Sequence, residues 1–343
     1  MTAAENRRQP PAGEWPAGGL ESVDVCPICG DQRRRVLLTG LTDQAFLSAP
    51  GRWTLHRCGD CGAGYLDPRP TPETIGLAYS RYYTHAVAED RAPAPAADAE
   101  PTLTRFAANR IARAMLHLLP GSTEDAEDLA ARHLRPPAPG ARLLDVGCGS
   151  GRFLLRAKSL GWDVYGIDPD PDAVAAARRS GLAIEQGALT DSTFPDGYFD
   201  AITLSHVIEH LHEPIATLRQ CHRLLRPDGR LWIATPNLDA PGRGLFGESW
   251  RGLEPPRHLV IFTWRSLEQA LREAGFRSRF ERVVSCNAAV VFSASVALAR
   301  GRDPYTESQP LERGLRLRAL LADLGTLVRR ESSEFIVVLG ERE

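Results

Sequence analysis

The sequence lacks the apolar stretch that a membrane-spanning helix requires. None of its 343 residues belongs to an uninterrupted apolar run of roughly eighteen, the minimum for crossing a bilayer. The start of the chain is polar and rich in proline, which is not the pattern of a secretory signal. We therefore expect no transmembrane segment, and a cytoplasmic location is the default expectation.

The chain also lacks an excess of charge of either sign. It has 41 Lys and Arg against 43 Asp and Glu, a formal net charge of −2. A protein that binds nucleic acid through its overall field is strongly basic, so a nucleic-acid partner is not favoured. One local cluster keeps RNA as an alternative. It consists of Arg33, Arg34, Arg35, Arg52 and Arg57.

Cysteine is scarce, and its spacing is informative. Of the seven cysteines, four form two Cys-x-x-Cys pairs, Cys26 with Cys29 and Cys58 with Cys61. An odd total with paired spacing suits a reducing compartment and a metal better than a disulfide framework. Four thiolates around tetrahedral Zn²⁺ leave no open position for catalysis. The sequence therefore predicts a structural zinc ion, with redox use of a Cys-x-x-Cys pair as the alternative.

The most informative stretch is LLDVGCGSG, residues 143–151. Its leucines and Val146 fit a strand that is buried on both faces, as in parallel sheets covered by helices. Gly147, Gly149 and Gly151 allow a tight turn and a close approach of the backbone to a ligand. The next segment has apolar residues at helical spacing, which completes a strand, turn and helix of the kind that holds nucleotide-like molecules.

A second motif lies about twenty residues farther on. DVYGIDPD, residues 163–170, predicts a strand that ends in Asp168, where α/β folds hydrogen-bond a ribose diol. Together with the G-x-G-x-G spacing after Asp145, this pattern resembles the class I S-adenosylmethionine (SAM) methyltransferases. The resemblance is to quinone-biosynthesis O-methyltransferases and to members with an N-terminal zinc ribbon. It implies an α/β fold, a Rossmann-like, doubly wound sheet of seven strands, mostly parallel with the last strand antiparallel.

The same resemblance sets the expected domain organisation. Residues 1–20 are predicted to be a flexible tail, 21–70 a small zinc-ribbon module, and 71–139 a helical connector or lid with a mobile linker. Residues 140–343 are predicted to form the methyltransferase domain, with a helical insertion at 286–330.

The resemblance also implies SAM as the cofactor and indicates where it binds. Asp145 would lie near the cofactor's ammonium group, and Asp168 would bind its ribose. Ala188 stands where the family usually has an acidic residue for the adenine amine, so the Leu189 backbone or Asp191 is expected to substitute. The candidate cofactor-binding residues are Asp145, Gly147, Cys148, Gly149, Gly151, Asp168, Pro169, Ala188, Leu189 and Ser205.

The methyl acceptor is expected beyond the carboxyl ends of the strands. His206, Glu209 and His210 would share one side of a helical turn there, and His258 is a further candidate general base. Related small-RNA methyltransferases place an acid where this chain has His206 and bind a divalent metal. A catalytic metal is therefore not favoured, although it stays open, as does a purely structural role for the Glu-His pair.

Three aromatic residues are candidate substrate contacts. Tyr82 and Tyr83 match a connector that covers the cofactor pocket in zinc-ribbon methyltransferases, with simple helix docking as the alternative. Trp250 could stack on an aromatic or sugar acceptor, or it could be a buried anchor.

The insertion at 286–330 ends in a segment with an apolar face framed by arginines. That face carries Leu317, Leu320, Leu321, Leu324 and Val328. A substrate lid, a homodimer interface and peripheral contact with a membrane surface are the three interpretations.

The sequence as a whole predicts methyl transfer from SAM to a small molecule. The favoured reaction is O-methylation of a secondary metabolite or sugar-type hydroxyl, by in-line displacement with a histidine as general base. The alternatives are C- or N-methylation of a small molecule, an RNA-modifying enzyme that grips nucleic acid with its zinc ribbon, and a protein that binds SAM without catalysis.

Overall fold

The fold begins with a small antiparallel assembly. The computed structural model describes residues 11–80, 132–134, 136–276, 281–282, 287–307 and 309–342. Its first strands are β1 (Leu20–Glu21), β2 (Arg34–Leu41), β3 (Trp53–Cys58), β4 (Gly64–Leu66) and β5 (Arg69–Pro70). Strands β2, β3 and β4 form successive antiparallel pairs, and β1 pairs with β5. We call residues 21–70 the ribbon module.

Residues 11–20 of the predicted tail pack against the ribbon module. Trp15 is 6% exposed, and its ring meets that of Trp53 edge-on at a centroid distance of 5.3 Å. Its indole Nε1 donates to the carbonyl oxygen of Gly19 at 3.0 Å. Residues 11–20 thus contribute to the packing of the module, whereas residues 1–10 lie outside the described part of the chain.

In the described part of the chain eight strands follow, and seven of them build the central sheet. They are β6 (Arg142–Val146), β7 (Asp163–Asp168), β8 (Ala183–Gln186), β9 (Phe199–Ser205), β10 (Leu225–Pro236), β11 (Val260–Ile261), β12 (Glu281–Arg282) and β13 (Phe335–Glu341). Seven of them, all except β11, pair in the order β12-β13-β10-β9-β6-β7-β8. The pairs from β8 to β10 are parallel, and β13 runs antiparallel to both of its neighbours. The predicted seven-stranded, mostly parallel fold is confirmed.

Helices cover both faces of this sheet. The helices of the described residues are α1 (Arg152–Ser159), α2 (Pro171–Arg179), α3 (Pro214–Leu224), α4 (Pro241–Phe246), α5 (Trp264–Glu273), α6 (Ala288–Ala299) and α7 (Arg313–Val328). Of these, α1, α2, α3 and α5 pack against the sheet. Successive strand residues point to opposite faces: Leu143 packs with α1 and α2, and Leu144 packs with α3 and α5. The chain reverses its strand order between β6 and β9, which opens a crevice at their carboxyl ends.

The short strand β11 joins the ribbon module to the α/β domain. It pairs antiparallel with β4, so that Val260 faces Tyr65 and Ile261 faces Gly64. The Leu66 N–H donates to the carbonyl oxygen of Leu259 at 3.1 Å. The ribbon sheet therefore has the order β11-β4-β3-β2, and one of its strands comes from the middle of the predicted methyltransferase domain.

The insertion forms the helices α6 and α7, which pack on each other around Phe292 and Ala319. The Asp323 carboxylate accepts the Ala288 N–H at the start of α6, at 3.0 Å. Part of α7 remains uncovered, since Leu317, Leu321 and Val328 are 57%, 57% and 87% exposed. Among the described helices, none combines the length and the apolar character that spanning a bilayer demands.

Candidate active site

The glycine turn after β6 has the conformation that its sequence predicts. Gly147, Gly149 and Gly151 all have positive φ, at 66°, 53° and 80°. A Cβ on Gly147 would lie 2.5 Å from Val207 Cγ2, and one on Gly151 would overlap the side chain of Leu182. Conformation and space therefore both require glycine here. The turn brings main-chain atoms to the crevice without side chains in the way.

Asp168, at the tip of β7, contacts this turn directly. Its Oδ2 accepts the Gly149 N–H at 2.8 Å, and its Oδ1 accepts the Asp170 N–H at 2.9 Å. The residue is 7% exposed, and burial raises the pKa of its carboxyl. The carboxylate thus lies between the glycine turn and the first turn of α2, where the sequence places a ribose-binding acid.

Asp145 lies deeper, beneath the turn. It is 1% exposed, and its Oδ1 accepts hydrogen bonds from the Thr203 hydroxyl at 2.8 Å and from the Arg132 guanidinium. Arg132 also stacks on Phe153, 3.6 Å from the ring centroid. Arg132 could not be predicted from the sequence, because an isolated arginine upstream of the motif carries no signal of its own.

The other cofactor candidates differ in exposure. Pro169 and Ala188 are exposed, Ser205 is half-buried at the end of β9, and Cys148 and Leu189 are buried at 8% and 3% exposed. The exposed and half-buried residues can face a bound molecule directly. Leu189 instead packs into the core on the α3 side of the sheet.

His206 and Glu209 meet at the carboxyl end of β9. His206 Nδ1 lies 3.4 Å from Glu209 Oε1, and the side chain of His206 is 41% exposed whereas that of Glu209 is completely buried. His206 has a φ of 54°, a strained conformation for a residue other than glycine. The predicted helical turn is a shorter 3₁₀ turn, Ile208–His210.

Glu209 is charged despite its burial. Burial alone would raise the pKa of its carboxyl, but the His206 imidazole 3.4 Å away and the other nearby imidazoles lower that pKa to about 2. The Thr235 hydroxyl donates to Glu209 Oε2 at 2.9 Å. A buried, oriented carboxylate therefore stands behind the exposed imidazole of His206.

His210 and His258 complete the cluster that the sequence predicts. Their rings meet edge-on with centroids 4.7 Å apart. His258 Nδ1 lies 2.8 Å from the carbonyl oxygen of Gly252, and His210 Nδ1 lies 3.0 Å from that of Arg257. Burial lowers the pKa of His258 to about 4, so that its ring is neutral at pH 7. All four candidate residues converge, and His206 is the most accessible of them.

Two residues near this cluster could not be predicted from the sequence. The Tyr79 hydroxyl lies 3.0 Å from His210 Nδ1. Glu254 Oε2 lies 3.7 Å from His258 Nε2, and Arg251 and Arg257 pair with the same carboxylate. Tyr79 ends a short 3₁₀ helix, Ile75–Tyr79, and Glu254 lies in a loop. Only their closeness in space to the histidines indicates a shared site.

Of the three aromatic residues predicted to contact substrate, the structure describes only Trp250. Trp250 is 1% exposed, and its Nε1 donates to Glu334 Oε2 at 3.1 Å. This indole is a buried anchor, because its ring has no surface on which an acceptor could stack. Tyr82 and Tyr83 lie outside the described residues.

The four predicted cysteine ligands come together in the ribbon module. The sulfur atoms of Cys26 and Cys61 are 3.5 Å apart, as are those of Cys29 and Cys58, and all four lie within 4.8 Å of one another. The hydrogen bond with Cys61 lowers the pKa of the Cys26 thiol to about 6. Four convergent sulfurs with no other ligand type suit tetrahedral zinc, so this set fits a structural zinc ion.

Comparisons with known proteins indicate the family of this domain. A family model described as a methyltransferase domain matches residues 111–279. The chain contains a methyltransferase domain. Over 107 residues it is 39% identical to a ubiquinone biosynthesis O-methyltransferase of Xanthomonas oryzae pv. oryzae, which is 29% of this chain and 44% of that protein.

A second curated relative of this methyltransferase domain shows the same partial coverage. The enzyme of the same name from Pseudomonas aeruginosa is 33% identical over 105 residues, 29% of this chain and 45% of that protein. The chain thus spans less than half the length of these curated relatives. A solved SAM-dependent methyltransferase from Archaeoglobus fulgidus is 18% identical, with a TM-score of 0.44 over 69% of this chain and 98% of that one.

Proposed function

We propose that the protein transfers the methyl group of SAM to a hydroxyl of a small molecule. The observation that supports this most directly is the position of His206. It is 41% exposed, 3.4 Å from the buried Glu209, and directly precedes Val207, which contacts the glycine turn at Gly147. A candidate base and the cofactor turn therefore border the same crevice.

Bound SAM would supply a methyl group carried on its sulfonium sulfur. In-line displacement of that methyl group would leave S-adenosylhomocysteine as the second product. The glycine turn and Asp168 bind and orient it. His206 accepts the proton of the acceptor hydroxyl as the new O–C bond forms, and the electron pair of the broken C–S bond stays on sulfur. Glu209 holds the imidazole and stabilises its protonated form, as a carboxylate does in other histidine-base sites.

The ribbon module gives little support to RNA as the acceptor. Three of its five clustered arginines already pair with acids: Arg33 with Asp31 at 3.1 Å, Arg34 with Asp67 at 2.8 Å, and Arg57 with Asp239 at 2.8 Å. A phosphate backbone would have to displace these partners. The small-molecule acceptor therefore fits better. The shared name of the curated relatives favours oxygen as the methylated atom.

The test is methyl transfer by the purified full chain. Methyl-labelled SAM is incubated with a small-molecule extract, and products that gain one methyl group are identified by mass spectrometry and NMR. His206→Ala is expected to lower kcat by about 10²–10⁴, the range for loss of a general base, while SAM affinity is retained. Asp168→Asn is expected to weaken SAM binding instead. His222→Ala, in α3 with its ring against Phe276, serves as the control and is expected to behave as wild type.

Two results would contradict this proposal. One is a His206→Ala variant with the wild-type rate at every pH. The other is a product that carries the label on carbon or nitrogen.

A further inference from the structure

The imidazole of His206 is half exposed, although a general base has to keep one orientation. Its side chain is 41% exposed, and its Nδ1 lies 3.4 Å from Glu209 Oε1. A contact at one ring atom leaves the rest of an imidazole free to swing about that atom. A base acts only when its free nitrogen lies within hydrogen-bond reach of the proton that it accepts. A second contact is therefore needed to hold the plane of this ring.

Phe335 supplies such a contact. Its ring meets the His206 imidazole edge-on, with the centroids 4.9 Å apart and the two planes at 80°. Edge-to-face contact is one of the geometries that aromatic pairs favour. Glu209 holds the imidazole at Nδ1, and Phe335 packs on the ring itself. The two contacts together restrict both the position and the plane of the imidazole.

The fold brings the two rings to the same place. His206 follows β9, and its backbone N–H donates to the carbonyl oxygen of Ala234 in β10 at 2.8 Å. Phe335 is the first residue of β13, where it pairs with Pro236 at the carboxyl end of β10. Because β13 runs antiparallel to β10, its beginning lies at the crevice edge of the sheet. Phe335 therefore borders the crevice beside His206.

The chain that leads into Phe335 is held by hydrogen bonds from one buried side chain. Asn237 is 0% exposed, and its Nδ2 donates to the carbonyl oxygens of Glu331 at 2.7 Å and Ser333 at 2.8 Å. The backbone N–H of Asn237 donates to the carbonyl oxygen of Glu334 at 3.1 Å. A ring on a backbone that is held in this way is a fixed support for its neighbour.

We propose that Phe335 is a positioning residue for the candidate base. The charged Glu209 carboxylate can only accept, so the neutral His206 ring carries its proton on Nδ1 and its lone pair on Nε2. Phe335 fixes the direction of that lone pair and takes no part in the proton transfer. This role rests on the proposed function in its kinetic consequence alone, because the orientation of the ring can be measured without an acceptor.

The experiment is NMR spectroscopy of the full chain with isotope-labelled histidine, in which the His206 signals are identified by their loss in His206→Gln. Wild type is expected to show a nuclear Overhauser effect between the rings of His206 and Phe335. Phe335→Leu exchanges a half-buried ring for a smaller apolar side chain and is expected to shift the His206 ring signals. Phe335→Tyr keeps the ring and is expected to keep the wild-type signals.

Phe276→Leu is the matched control. Phe276 makes the same kind of edge-on contact with another histidine, His222, at a centroid distance of 5.1 Å. This variant is expected to shift the His222 signals and to leave those of His206 in place. Phe335→Leu is expected to do the reverse.

The kinetic measurement is methyl transfer to the acceptor that the labelling test identifies. Phe335→Leu is expected to lower kcat by about tenfold or more, because a misplacement of about 1 Å can cost about a hundredfold in rate. The KM for the acceptor and the affinity for SAM are expected to stay unchanged. Phe335→Tyr is expected to restore kcat.

The proposal is overturned if wild type shows no contact between the two rings, or if Phe335→Leu leaves the His206 signals in place. A higher KM at constant kcat also overturns it, because Phe335 would then bind the acceptor and not orient the base. A full rate in Phe335→Leu with a lost rate in His206→Ala overturns it and leaves the proposed function standing. A ring that depends on Phe335, in a protein whose His206→Ala variant keeps the full rate, supports the positioning and contradicts the proposed function.

Discussion

Arg257 and Asp43 form an ion pair in which neither side chain has any exposed surface. Asp43 belongs to the ribbon module, and Arg257 directly precedes His258. The same guanidinium donates to the carbonyl oxygen of Ala78 at 2.8 Å and to Glu254 Oε1 at 3.2 Å. The loop that carries Arg257 and His258 is therefore held against the ribbon module by this buried ion pair. The ribbon module forms part of the boundary of the candidate active site.

Asp43→Asn is expected to destabilise the protein strongly. The substitution leaves a buried guanidinium without one of its counter-charges, which typically lowers the free energy of unfolding by about 3–5 kcal/mol. Asp60→Asn is the matched control, because its partner Arg265 is 69% exposed at a distance of 3.5 Å and the pair should contribute almost nothing. Urea denaturation of the two variants measures the difference. Similar losses in both would show that the buried pair has no special role.

Removal of zinc is expected to disturb the loop that carries His258 more than the glycine turn. Cys26→Ser removes one of the four convergent sulfurs, and a small module without its metal loses stability. Since β4 pairs with β11, the loop that carries His258 should become disordered, whereas the glycine turn rests on β6 and β7.

The measurements for this variant are zinc content, SAM affinity and protection of the β11 amides from hydrogen exchange. We expect loss of zinc, little change in SAM affinity and faster exchange in β11. Cys221→Ala, a buried cysteine of α3 outside the cluster, is the control and should keep its zinc. Unchanged exchange in β11 after loss of zinc would show that the zinc of the ribbon module does not support the loop that carries His258.

Features that are local in the sequence could be predicted, and those that depend on distant contacts could not. The apolar residues around Leu144 specify a strand that is buried on both faces, and the three glycines specify a turn, so the sheet and the cofactor turn were expected. The Cys-x-x-Cys pairs predicted a cluster of four sulfurs for the same reason.

Arg132 and Asp43 gave no such signal. Each has a role only through a partner that the fold brings to it from another segment, Asp145 and Arg257 respectively. The two-residue strand β11 is too short for any periodicity. For Trp250, the sequence left the stacking role and the anchor role equally open, and a buried partner, Glu334, accounts for its position. The predicted roles of Tyr82 and Tyr83 stay predictions.

Gly151→Ala is expected to damage the cofactor turn through both conformation and space. Alanine at a φ of 80° costs about 1–2 kcal/mol, and its Cβ would overlap Leu182, which adds about 1–3 kcal/mol of overpacking. Gly181→Ala is the control, since its φ is 73° and nothing lies within 4 Å of the added Cβ. The free energy of unfolding should be lower for Gly151→Ala than for Gly181→Ala by the overpacking contribution. SAM affinity should fall only for Gly151→Ala. Equal effects on both measurements would remove the argument that this turn is tightly packed.

Asp323→Asn is expected to stabilise the protein at neutral pH. Burial raises the pKa of this carboxyl to about 6, so the folded state binds more protons than the unfolded state between about pH 4 and pH 6. The stabilising contribution of the protonated group is therefore present at acidic pH and is lost as the pH rises through 6. A shift of this size corresponds to at most about 3 kcal/mol, and partial exposure reduces the expected effect to about 1–2 kcal/mol.

The asparagine avoids the buried charge, and its side-chain oxygen can still accept the Ala288 N–H at the start of α6. Unfolding free energies measured from pH 4 to pH 8 should show the variant above wild type at pH 7–8 and level with it near pH 4. Asp323→Ala, which loses the acceptor as well as the charge, should fall below Asp323→Asn at every pH. A variant less stable than wild type at pH 7.5 would mean that the carboxylate stabilises α6 in its charged form, contrary to its burial.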